Sequence, residues 1–343
     1  MASFRFAFSI DEKDENGSTT NETTSQLAEP KTANQNSSQA ADQIKSSSAA
    51  KQQQLSLVEL PPHAISSKLP YNTIQINNDN SLQAIQESKT CQQVDKTHDV
   101  ITGVYEGGLK VWECCVDLCR YLLNNQRDLL FQDNTVKRSN KDRISVLELG
   151  CGHGLPGCLL LKEWAKGKYC NTSNGMQPKC HVLFSDFNEF VLEHVTAHNI
   201  NMNTAVACPI MTLEQANCTL VAGDWMALSQ ALLDQSISID SKFDLILAAE
   251  TTYTTASAES TAILFARHLS CPFGVGLVAN KRYYFGVGGG SDVFRDAISS
   301  AGNGTSCENN GMKYVLHVEV VEEVDNGAGN IREILRVEWK RQT

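Results

Sequence analysis

Glycines and acids in the middle of the sequence are the residues best suited to bind a ligand. The stretch VLELGCGHGLPG, residues 146–157, places Gly150, Gly152, Gly154 and Gly157 directly after an apolar run. Glycine at such a turn lets the backbone approach a ligand closely, because a Cβ atom would collide or would disfavour a positive φ. We therefore expect a bound ligand here rather than a merely tight connection between a strand and a helix.

Acidic residues recur where predicted strands end: Glu148, Asp186, Asp224 and Glu250. Open parallel sheets bind their ligands at this edge. Asp186 is placed to accept hydrogen bonds from both hydroxyls of a ribose, and a polar insertion at residues 169–178 explains its long separation from the glycine turn. Asp224 offers an acceptor for an adenine amino group, and Trp225 offers an aromatic edge for the ring. The alternative for any single strand-end acid is a helix N-cap.

Two cofactors fit the glycine turn. Residues 152–157 satisfy the G-x-G-x-x-G pattern of dinucleotide-binding enzymes, whereas residues 148–154 fit the acidic-x-G-x-G-x-G turn of S-adenosylmethionine (SAM) enzymes. A dinucleotide brings two phosphate charges, while SAM brings a sulfonium, an ammonium and a single carboxylate. The strand-end loops supply acids and almost no cations, which favours SAM. A helix that begins near Pro156 could receive the SAM carboxylate at its N-terminus.

Alternating strand and helix signals must position these residues. Apolar runs that predict strands alternate with helical patterns at residues 144–150, 180–186, 218–224, 243–250 and 274–280. Such βα repeats predict a parallel sheet that is covered on both faces, with right-handed crossovers. The runs at 314–324 and 331–341 flank an Asn/Gly-rich turn and predict a β-hairpin. The predicted fold class is α/β, a Rossmann-like seven-strand sheet of the methyltransferase type with a C-terminal antiparallel hairpin.

The N-terminal third of the sequence differs in composition from this unit. Residues 1–10 alternate apolar and polar side chains and predict a short strand, which would dock on a sheet edge or serve as a recognition element. Residues 11–54 have too little apolar area to fold and are predicted to be a disordered linker. We expect residues 55–102 to form an N-terminal adaptor segment and residues 103–343 to form the main domain.

Composition excludes several classes of partner. A formal net charge of -10 argues against direct binding to nucleic acids or to anionic membranes. No apolar run approaches the ~20 residues that span a bilayer. The 12 cysteines fall within apparent helices and strands, and no two have C-x-x-C spacing, so we expect reduced thiols and no bound metal.

The chain closely resembles the protein-histidine N-methyltransferase family, a branch of the seven-strand SAM methyltransferases. The resemblance is carried by YEGGLKVWEC, the glycine turn, SDFNEFVLEHVT, GDW, DLILAAETTY and YYFGVGGG, and it extends over nearly all of residues 103–343. It implies SAM as the cofactor. The cofactor-binding residues that it implies, together with the glycine turn, are Val111, Trp112, Glu113, Cys114, Gly150, Gly152, Asp186, Phe187, Asn188, Gly223, Asp224, Trp225 and Ala249.

The resemblance also implies methylation of the distal (tele) nitrogen of a histidine in a large-subunit ribosomal protein. Neutral imidazole already carries a free lone pair at pH 7, so the enzyme must chiefly position it. Glu250 and Tyr253 are the candidate catalytic residues, whereas His153 is interpreted as a turn residue. Two alternatives are a lysine-specific protein methyltransferase of the same superfamily and a non-catalytic SAM-fold ribosome-assembly factor. We expect a monomer in the cytoplasm and nucleus, including the nucleolus.

A second glycine-rich stretch follows the fifth predicted strand of the sheet. YYFGVGGGSDVF, residues 283–294, carries Gly286, Gly288, Gly289 and Gly290. The four preceding strand ends already account for the cofactor. We therefore predict a mobile loop beside the substrate, the alternative being a loop that simply turns sharply.

Overall fold

The computed structural model describes residues 3–4, 55–86, 100–101, 103–130, 143–166, 179–205, 217–304, 306–327 and 329–342. The predicted disordered linker, residues 11–54, and residues 5–10 of the predicted N-terminal strand lie outside these ranges. Within them, no helix combines the length and the apolar character needed to cross a membrane.

The elements follow the predicted alternation. The strands are β1 (Ser3–Phe4), β2 (Ser56–Val58), β3 (Tyr71–Gln75), β4 (Ser81–Ile85), β5 (Val100–Ile101), β6 (Arg143–Leu149), β7 (Lys179–Asp186), β8 (Asn217–Ala222), β9 (Leu245–Ala249), β10 (Val275–Lys281), β11 (Cys307–Asn309), β12 (Met312–Val324) and β13 (Arg332–Arg341). The helices are α1 (His63–Ser66), α2 (Glu113–Leu130), α3 (Leu155–Ala165), α4, α5 (Trp225–Leu233), α6 (Thr255–His268) and α7 (Ser291–Gly304). Helix α4 runs through Glu189–Val191, a π-helical turn at Leu192–Thr196, and Ala197–Ala205.

A sheet of nine strands forms the centre of the molecule, in the order β11-β12-β13-β10-β9-β6-β7-β8-β2. Strands β6 to β10 pair in parallel, and β13 pairs antiparallel with both β10 and β12. The order from β8 to β12 is that of the predicted seven-strand methyltransferase sheet, and the C-terminal hairpin is confirmed. The antiparallel strands β2 and β11 extend the sheet at its two edges.

Helices cover both faces of the sheet, because successive strand residues point to opposite sides. On β6, Val146 packs with α2, α3 and α4, whereas Leu147 packs with α5, α6 and α7. Both side chains are fully buried. This double covering explains why the parallel strands are continuous apolar runs in the sequence.

The N-terminal adaptor is held on α4 by asparagine side chains. Asn203 uses Oδ1 to accept from the Gln83 backbone N–H at 2.8 Å and Nδ2 to donate to the Gln83 oxygen at 2.8 Å. Asn201 Nδ2 donates to the Pro61 oxygen at 2.6 Å. Strand β1 forms a separate antiparallel pair with β5 and does not dock on the edge of the main sheet, where β2 pairs with β8 instead.

The cysteine prediction requires one correction. Cys271 and Cys307 form a disulfide with their Cα atoms 6.4 Å apart, whereas reduced thiols were expected throughout. Cys271 follows α6 and Cys307 begins the edge strand β11, so the two residues, 36 apart in sequence, meet only through the fold. Of the other described cysteines, six are buried free thiols: Cys114, Cys115, Cys119, Cys151, Cys158 and Cys180.

Candidate active site

A cavity of about 330 Å³ lies at the carboxyl ends of β6, β7, β8 and β9, where the strand-end acids were predicted to meet. The predicted site residues that line it are Val111, Trp112, Gly150, Gly152, Asp186, Phe187, Asp224, Trp225, Ala249, Glu250 and Tyr253. Four others, Glu113, Cys114, Asn188 and Gly223, are outside the lining and act on the residues that form it, as described below.

The glycine turn has the backbone that its sequence predicted. Gly150, Gly152 and Gly154 all adopt left-handed conformations, with φ of 55°, 50° and 65°. A Cβ on Gly150 would lie 3.1 Å from Thr251 Cγ2 and 3.2 Å from the Trp225 ring. A Cβ on Gly152 would lie 3.2 Å from the Gly108 oxygen. Side chains here would close the cavity as well as strain the backbone.

The buried side chain of Glu148 contacts the backbone of this turn. Its Oε2 accepts a hydrogen bond from the Gly157 backbone N–H at 2.7 Å, and the residue is buried. Burial raises the pKa of Glu148 to about 8, although the Gly157 hydrogen bond acts in the opposite direction. Glu148 therefore stabilises the turn through a hydrogen bond to another residue of the protein, Gly157.

Asp186 reaches the same turn from β7. Its Oδ2 accepts from the Gly152 N–H at 2.9 Å and its Oδ1 accepts from the Asn188 N–H at 3.0 Å. Burial raises the pKa of Asp186 to about 6, against the effect of these hydrogen bonds. Each carboxylate oxygen has a second lone pair, so Asp186 retains acceptor capacity towards a ribose.

Asn188 and Gly223 support the cavity from behind. Asn188 Oδ1 accepts from the Glu106 N–H at 3.1 Å, and its Nδ2 donates to the Val104 oxygen at 2.8 Å. Asn188 thus holds the segment that precedes α2. The Gly223 N–H donates to the backbone oxygen of Asp186 at 2.9 Å, and this hydrogen bond joins the ends of β7 and β8.

Asp224 caps a helix and lines the cavity. Its Oδ1 accepts from the N–H groups of Met226 and Ala227, at 2.8 and 3.1 Å, which is the N-cap role that the sequence left open. Next to it, Trp225 presents a buried Nε1 that has no hydrogen-bond partner among the described residues. The same holds for Oγ1 of Thr251, also on the cavity wall. Buried donors are nearly always paired, so these two atoms, both on residues that line the cavity, are available to bind polar groups of a ligand.

The segment before α2 forms a wall that sequence reasoning only partly identified. Gly107 and Gly108 line the cavity, and Trp112 Nε1 donates to the Gly107 oxygen at 2.9 Å. His153 Nε2 lies 3.0 Å from the Leu109 oxygen and ties this wall to the glycine turn. The signal was the glycine pair in YEGG, because a Cβ on Gly108 would lie 2.8 Å from Val191 Cγ1.

The two candidate catalytic residues lie beyond β9. Glu250 has a left-handed backbone, with φ of 56°, and its Oε2 accepts a hydrogen bond from the Tyr284 hydroxyl. Its Oε1 is buried and accepts no hydrogen bond from the described residues. Tyr253 donates its hydroxyl proton to Glu106 Oε2. Burial, with the Glu106 charge, raises the pKa of Tyr253, so its phenol stays protonated.

Glu113 and Cys114 stand behind Glu250, at the start of α2. Glu113 Oε2 lies 3.8 Å from Lys281 Nζ, and the same nitrogen lies 3.8 Å from Glu250 Oε1. Cys114 is buried, and burial, followed by the charge of Glu250, raises the pKa of its thiol. Lys281 and Tyr284 were not predicted as site residues.

The loop at residues 282–290, which was predicted to be mobile, packs against residues 252–254 in this structure. The Gly290 N–H donates to the Thr252 oxygen at 2.9 Å. A Cβ on Gly289 would lie 2.1 Å from the Thr252 oxygen, and one on Gly290 would lie 2.2 Å from the Arg282 oxygen. Gly289 is therefore explained by close packing of the loop against residues 252–254, which adjoin the cavity, and Gly290 by close packing within the loop itself.

Comparison with known proteins adds to this geometry. A family model described as lysine methyltransferase matches residues 97–279, which include the glycine turn and the ends of β6 to β9. The chain belongs to this methyltransferase family. The cavity described above is thus the candidate active site of a methyltransferase family member.

Among curated proteins, the chain is similar to relatives named as histidine protein methyltransferases. The chain is 32% identical over 244 residues to "Histidine protein methyltransferase 1 homolog" of Dictyostelium discoideum, covering 71% of this chain and 61% of the relative. It is 33% identical to the protein of the same name from Bos taurus, covering 67% of this chain and 55% of the relative. The chain thus spans less than two thirds of the length of these relatives. The predicted resemblance to protein-histidine methyltransferases is confirmed.

Among solved structures, the chain is similar to a putative class I SAM-dependent methyltransferase from Listeria monocytogenes. The TM-score is 0.40 and the identity is 12%, covering 67% of this chain and 62% of that chain.

Proposed function

We propose that this methyltransferase transfers a methyl group from SAM to the distal nitrogen of a histidine side chain in a protein substrate. The observation that carries the proposal is the carboxylate of Glu250, a residue that lines the cavity. Its buried Oε1 accepts no hydrogen bond from the described residues and lies 3.8 Å from Lys281 Nζ. An imidazole presents one nitrogen for methylation and a donor N–H at the other. The names of the curated relatives also support histidine as the residue that accepts the methyl group.

The residues present fit SAM. The three left-handed glycines leave room for the methionine portion of SAM, and Asp186 has lone pairs that can accept hydrogen bonds from its ribose. Trp225 Nε1 and Thr251 Oγ1 offer unpaired donors on the same wall. Acidic residues also suit a cofactor that carries a sulfonium and an ammonium.

When bound, SAM supplies an electrophilic methyl group, and the remaining requirements fall on the chain. In the transfer, the lone pair of the distal imidazole nitrogen would form the bond to the methyl carbon, and the electron pair of the broken carbon–sulfur bond would remain on sulfur. Positive charge would develop on the ring. Glu250 would accept a hydrogen bond from the proximal N–H, which orients the ring and stabilises this charge. The proximal proton is then lost to solvent, and the ring becomes neutral again.

Lysine is the alternative acceptor, favoured by the description of the matched family. Lysine has a pKa near 10.4 and must lose a proton before it can attack. The residues described around Glu250 include a buried lysine of the protein itself, Lys281, whose ammonium lies 3.8 Å from the carboxylate. A histidine acceptor, neutral at pH 7, is therefore the better match.

We further propose a large-subunit ribosomal protein as the target, on the strength of the sequence resemblance. The test is incubation of the purified chain with labelled SAM and with ribosomal subunits from cells that lack the enzyme, followed by mass spectrometry of the labelled peptide. The expected product is a tele-methylated histidine. A labelled lysine would instead establish the alternative, and SAM binding without any labelled protein would favour a non-catalytic assembly factor.

A further inference from the structure

Lys281 is a buried cation directly behind the acceptor end of the cavity. It is the last residue of β10, and its side chain is 1% exposed. Its Nζ lies 3.8 Å from Glu250 Oε1 and 5.5 Å from the centroid of the Trp112 ring. The ring of Tyr284, which donates to Glu250 Oε2, is centred 5.9 Å from the same nitrogen. Burial of an ammonium is costly unless it is paired, so this arrangement depends on Glu250 and its neighbours.

The position of Lys281 changes what Glu250 can bind. Glu250 keeps the lone pairs needed to accept a hydrogen bond from a neutral N–H group. Its negative charge, however, is partly offset by the Lys281 ammonium at 3.8 Å, which also lies 3.8 Å from the half-exposed Glu113 carboxylate. The side chains of Lys281 and Glu250 are both buried, so water screens this pair only weakly. A second ammonium in the cavity would therefore be repelled by Lys281 and would find only a partly compensated carboxylate.

We propose that Lys281 is a specificity-determining residue, which acts through Glu250 to favour a neutral imidazole over a lysine ammonium at the acceptor end of the cavity. The proposal rests on the proposed function. Lys281 does not line the cavity, so its role is to position Glu250 and to set the charge around it.

The test uses two peptides of the mapped acceptor sequence in which the target histidine is replaced by glutamine or by lysine. Both are measured as inhibitors of methyl transfer by the wild-type enzyme, by Lys281→Met and by Lys162→Met. We expect the wild type to bind the glutamine peptide at least tenfold more tightly than the lysine peptide. In Lys281→Met, this ratio should fall at least tenfold, because an uncompensated Glu250 attracts the ammonium.

Lys162→Met is the matched control, since Lys162 is a partly buried lysine whose Nζ donates to the Ser81 oxygen at 2.6 Å, away from the cavity lining. It should leave the ratio within twofold of wild type. Loss of structural integrity alone would weaken both peptides together and would not change the ratio. A double-mutant cycle provides a second test: in the Glu250→Gln background, Lys281→Met should cause less than a twofold further change in kcat.

Several outcomes would overturn the role of Lys281: an unchanged peptide ratio in Lys281→Met, an additive effect in the Glu250→Gln background, or tighter binding of the lysine peptide by the wild type. The last result would refute the inference even if Lys281→Met does not fold, because it is measured on the wild-type enzyme alone. A wild-type enzyme that labels histidine but shows one of these results refutes only this inference. An enzyme that labels lysine refutes the proposed function first.

Discussion

Asn199 Nδ2 donates a hydrogen bond to the backbone oxygen of His153, at 2.9 Å. The Oδ1 atom of the same side chain accepts from the Ile85 N–H at 2.8 Å, so Asn199 joins strand β4 of the adaptor to the glycine turn. Burial lowers the pKa of His153, so the ring is neutral, and its Nε2 contacts the Leu109 oxygen. The adaptor is thereby connected to both sides of the cavity through a histidine that the sequence suggested was only a turn residue.

Replacement of Asn199 by alanine should weaken SAM binding at least fivefold, because it frees His153 and the wall that His153 holds. The matched control is Asn203→Ala, which removes two hydrogen bonds to Gln83 on the same hairpin and one to the Asn199 backbone oxygen, but leaves the Asn199 side chain and His153 in place. Both variants should lose about 1–3 kcal/mol of stability. Calorimetric titration with SAM separates them, and equal affinities would contradict the connection through His153.

Gly150→Arg should abolish SAM binding while the fold survives. The side chain would start 3.1 Å from Thr251 Cγ2 and would bring a cation to a site for a sulfonium. Gly327→Arg is the control, because Gly327 also has a positive φ, of 72°, but a Cβ there would meet no atom within 4 Å. Near-normal SAM affinity in Gly150→Arg would refute the assignment of the turn.

The stability of the protein should depend on Glu148 in a defined pH range. The pKa of Glu148 is raised from 4.5 to about 8, so the folded state holds a proton that the unfolded state releases. The contribution of Glu148 to the unfolding free energy is therefore greatest below pH 4.5 and is lost as the pH rises towards 8. Glu148→Gln removes this loss, and its melting temperature relative to wild type should increase between pH 5 and pH 8. The control is Glu308→Gln, at an exposed position, whose melting temperature relative to wild type should not change over this pH range. The same pH-independent difference in Glu148→Gln would contradict a raised pKa for Glu148.

Phe285 should contribute to binding of the protein substrate. Its side chain is 77% exposed, next to Tyr284 on the cavity wall, and its neighbour Tyr283 is 51% exposed. Exposed aromatic side chains are typical of interaction surfaces. Phe285→Ala should raise KM for the protein substrate about five- to tenfold with kcat and SAM affinity unchanged. The exposed Leu233→Ala, on α5, provides a control, and an equal KM in the two variants would exclude this role.

Two adjacent glycines should respond differently to alanine. A Cβ on Gly289 would overlap the Thr252 oxygen at 2.1 Å, whereas a Cβ on Gly288 would meet only Thr255 Oγ1 at 3.9 Å. Gly289→Ala should therefore displace residues 252–254 and reduce both SAM affinity and turnover. Gly288→Ala should cost only the strain of its positive φ and leave SAM affinity within threefold. Selective loss of turnover in Gly289→Ala, with normal SAM affinity, would instead support the mobile loop that the sequence predicted.

Sequence predicted the parts of the fold that depend on local pattern. Strand β9, Leu245–Ala249, falls within the predicted run at 243–250, and the hairpin strands β12 and β13 match the predicted runs closely. These segments are buried on both faces or alternate regularly, so the hydrophobic pattern alone locates them. The glycine turn and the strand-end acids were predictable for the same reason, since parallel strands end at one edge.

The remaining features depend on contacts between distant segments. The predicted strand ended at Asn280, whereas in the structure Lys281 continues β10 and is paired with Glu250, after β9, and with Glu113, at the start of α2. A fully buried lysine is rare and is not evident from the local pattern. The Cys271–Cys307 disulfide likewise joins segments that only the fold brings together. Glu113, Cys114, Asn188 and Gly223 were predicted to bind the cofactor, whereas the structure places them outside the cavity lining, behind the residues that form it.

The left-handed backbone at Glu250 has a consequence for protein engineering. A residue other than glycine at a φ of 56° costs roughly 1–2 kcal/mol, which glycine at the same position would largely relieve. Loss of the carboxylate, however, would leave the buried Lys281 ammonium without its Glu250 partner at 3.8 Å, which costs about 3–5 kcal/mol. Glycine at position 250 should therefore raise the thermal tolerance only in variants in which Lys281 has also been replaced, and a library selected for heat resistance should show the two changes together.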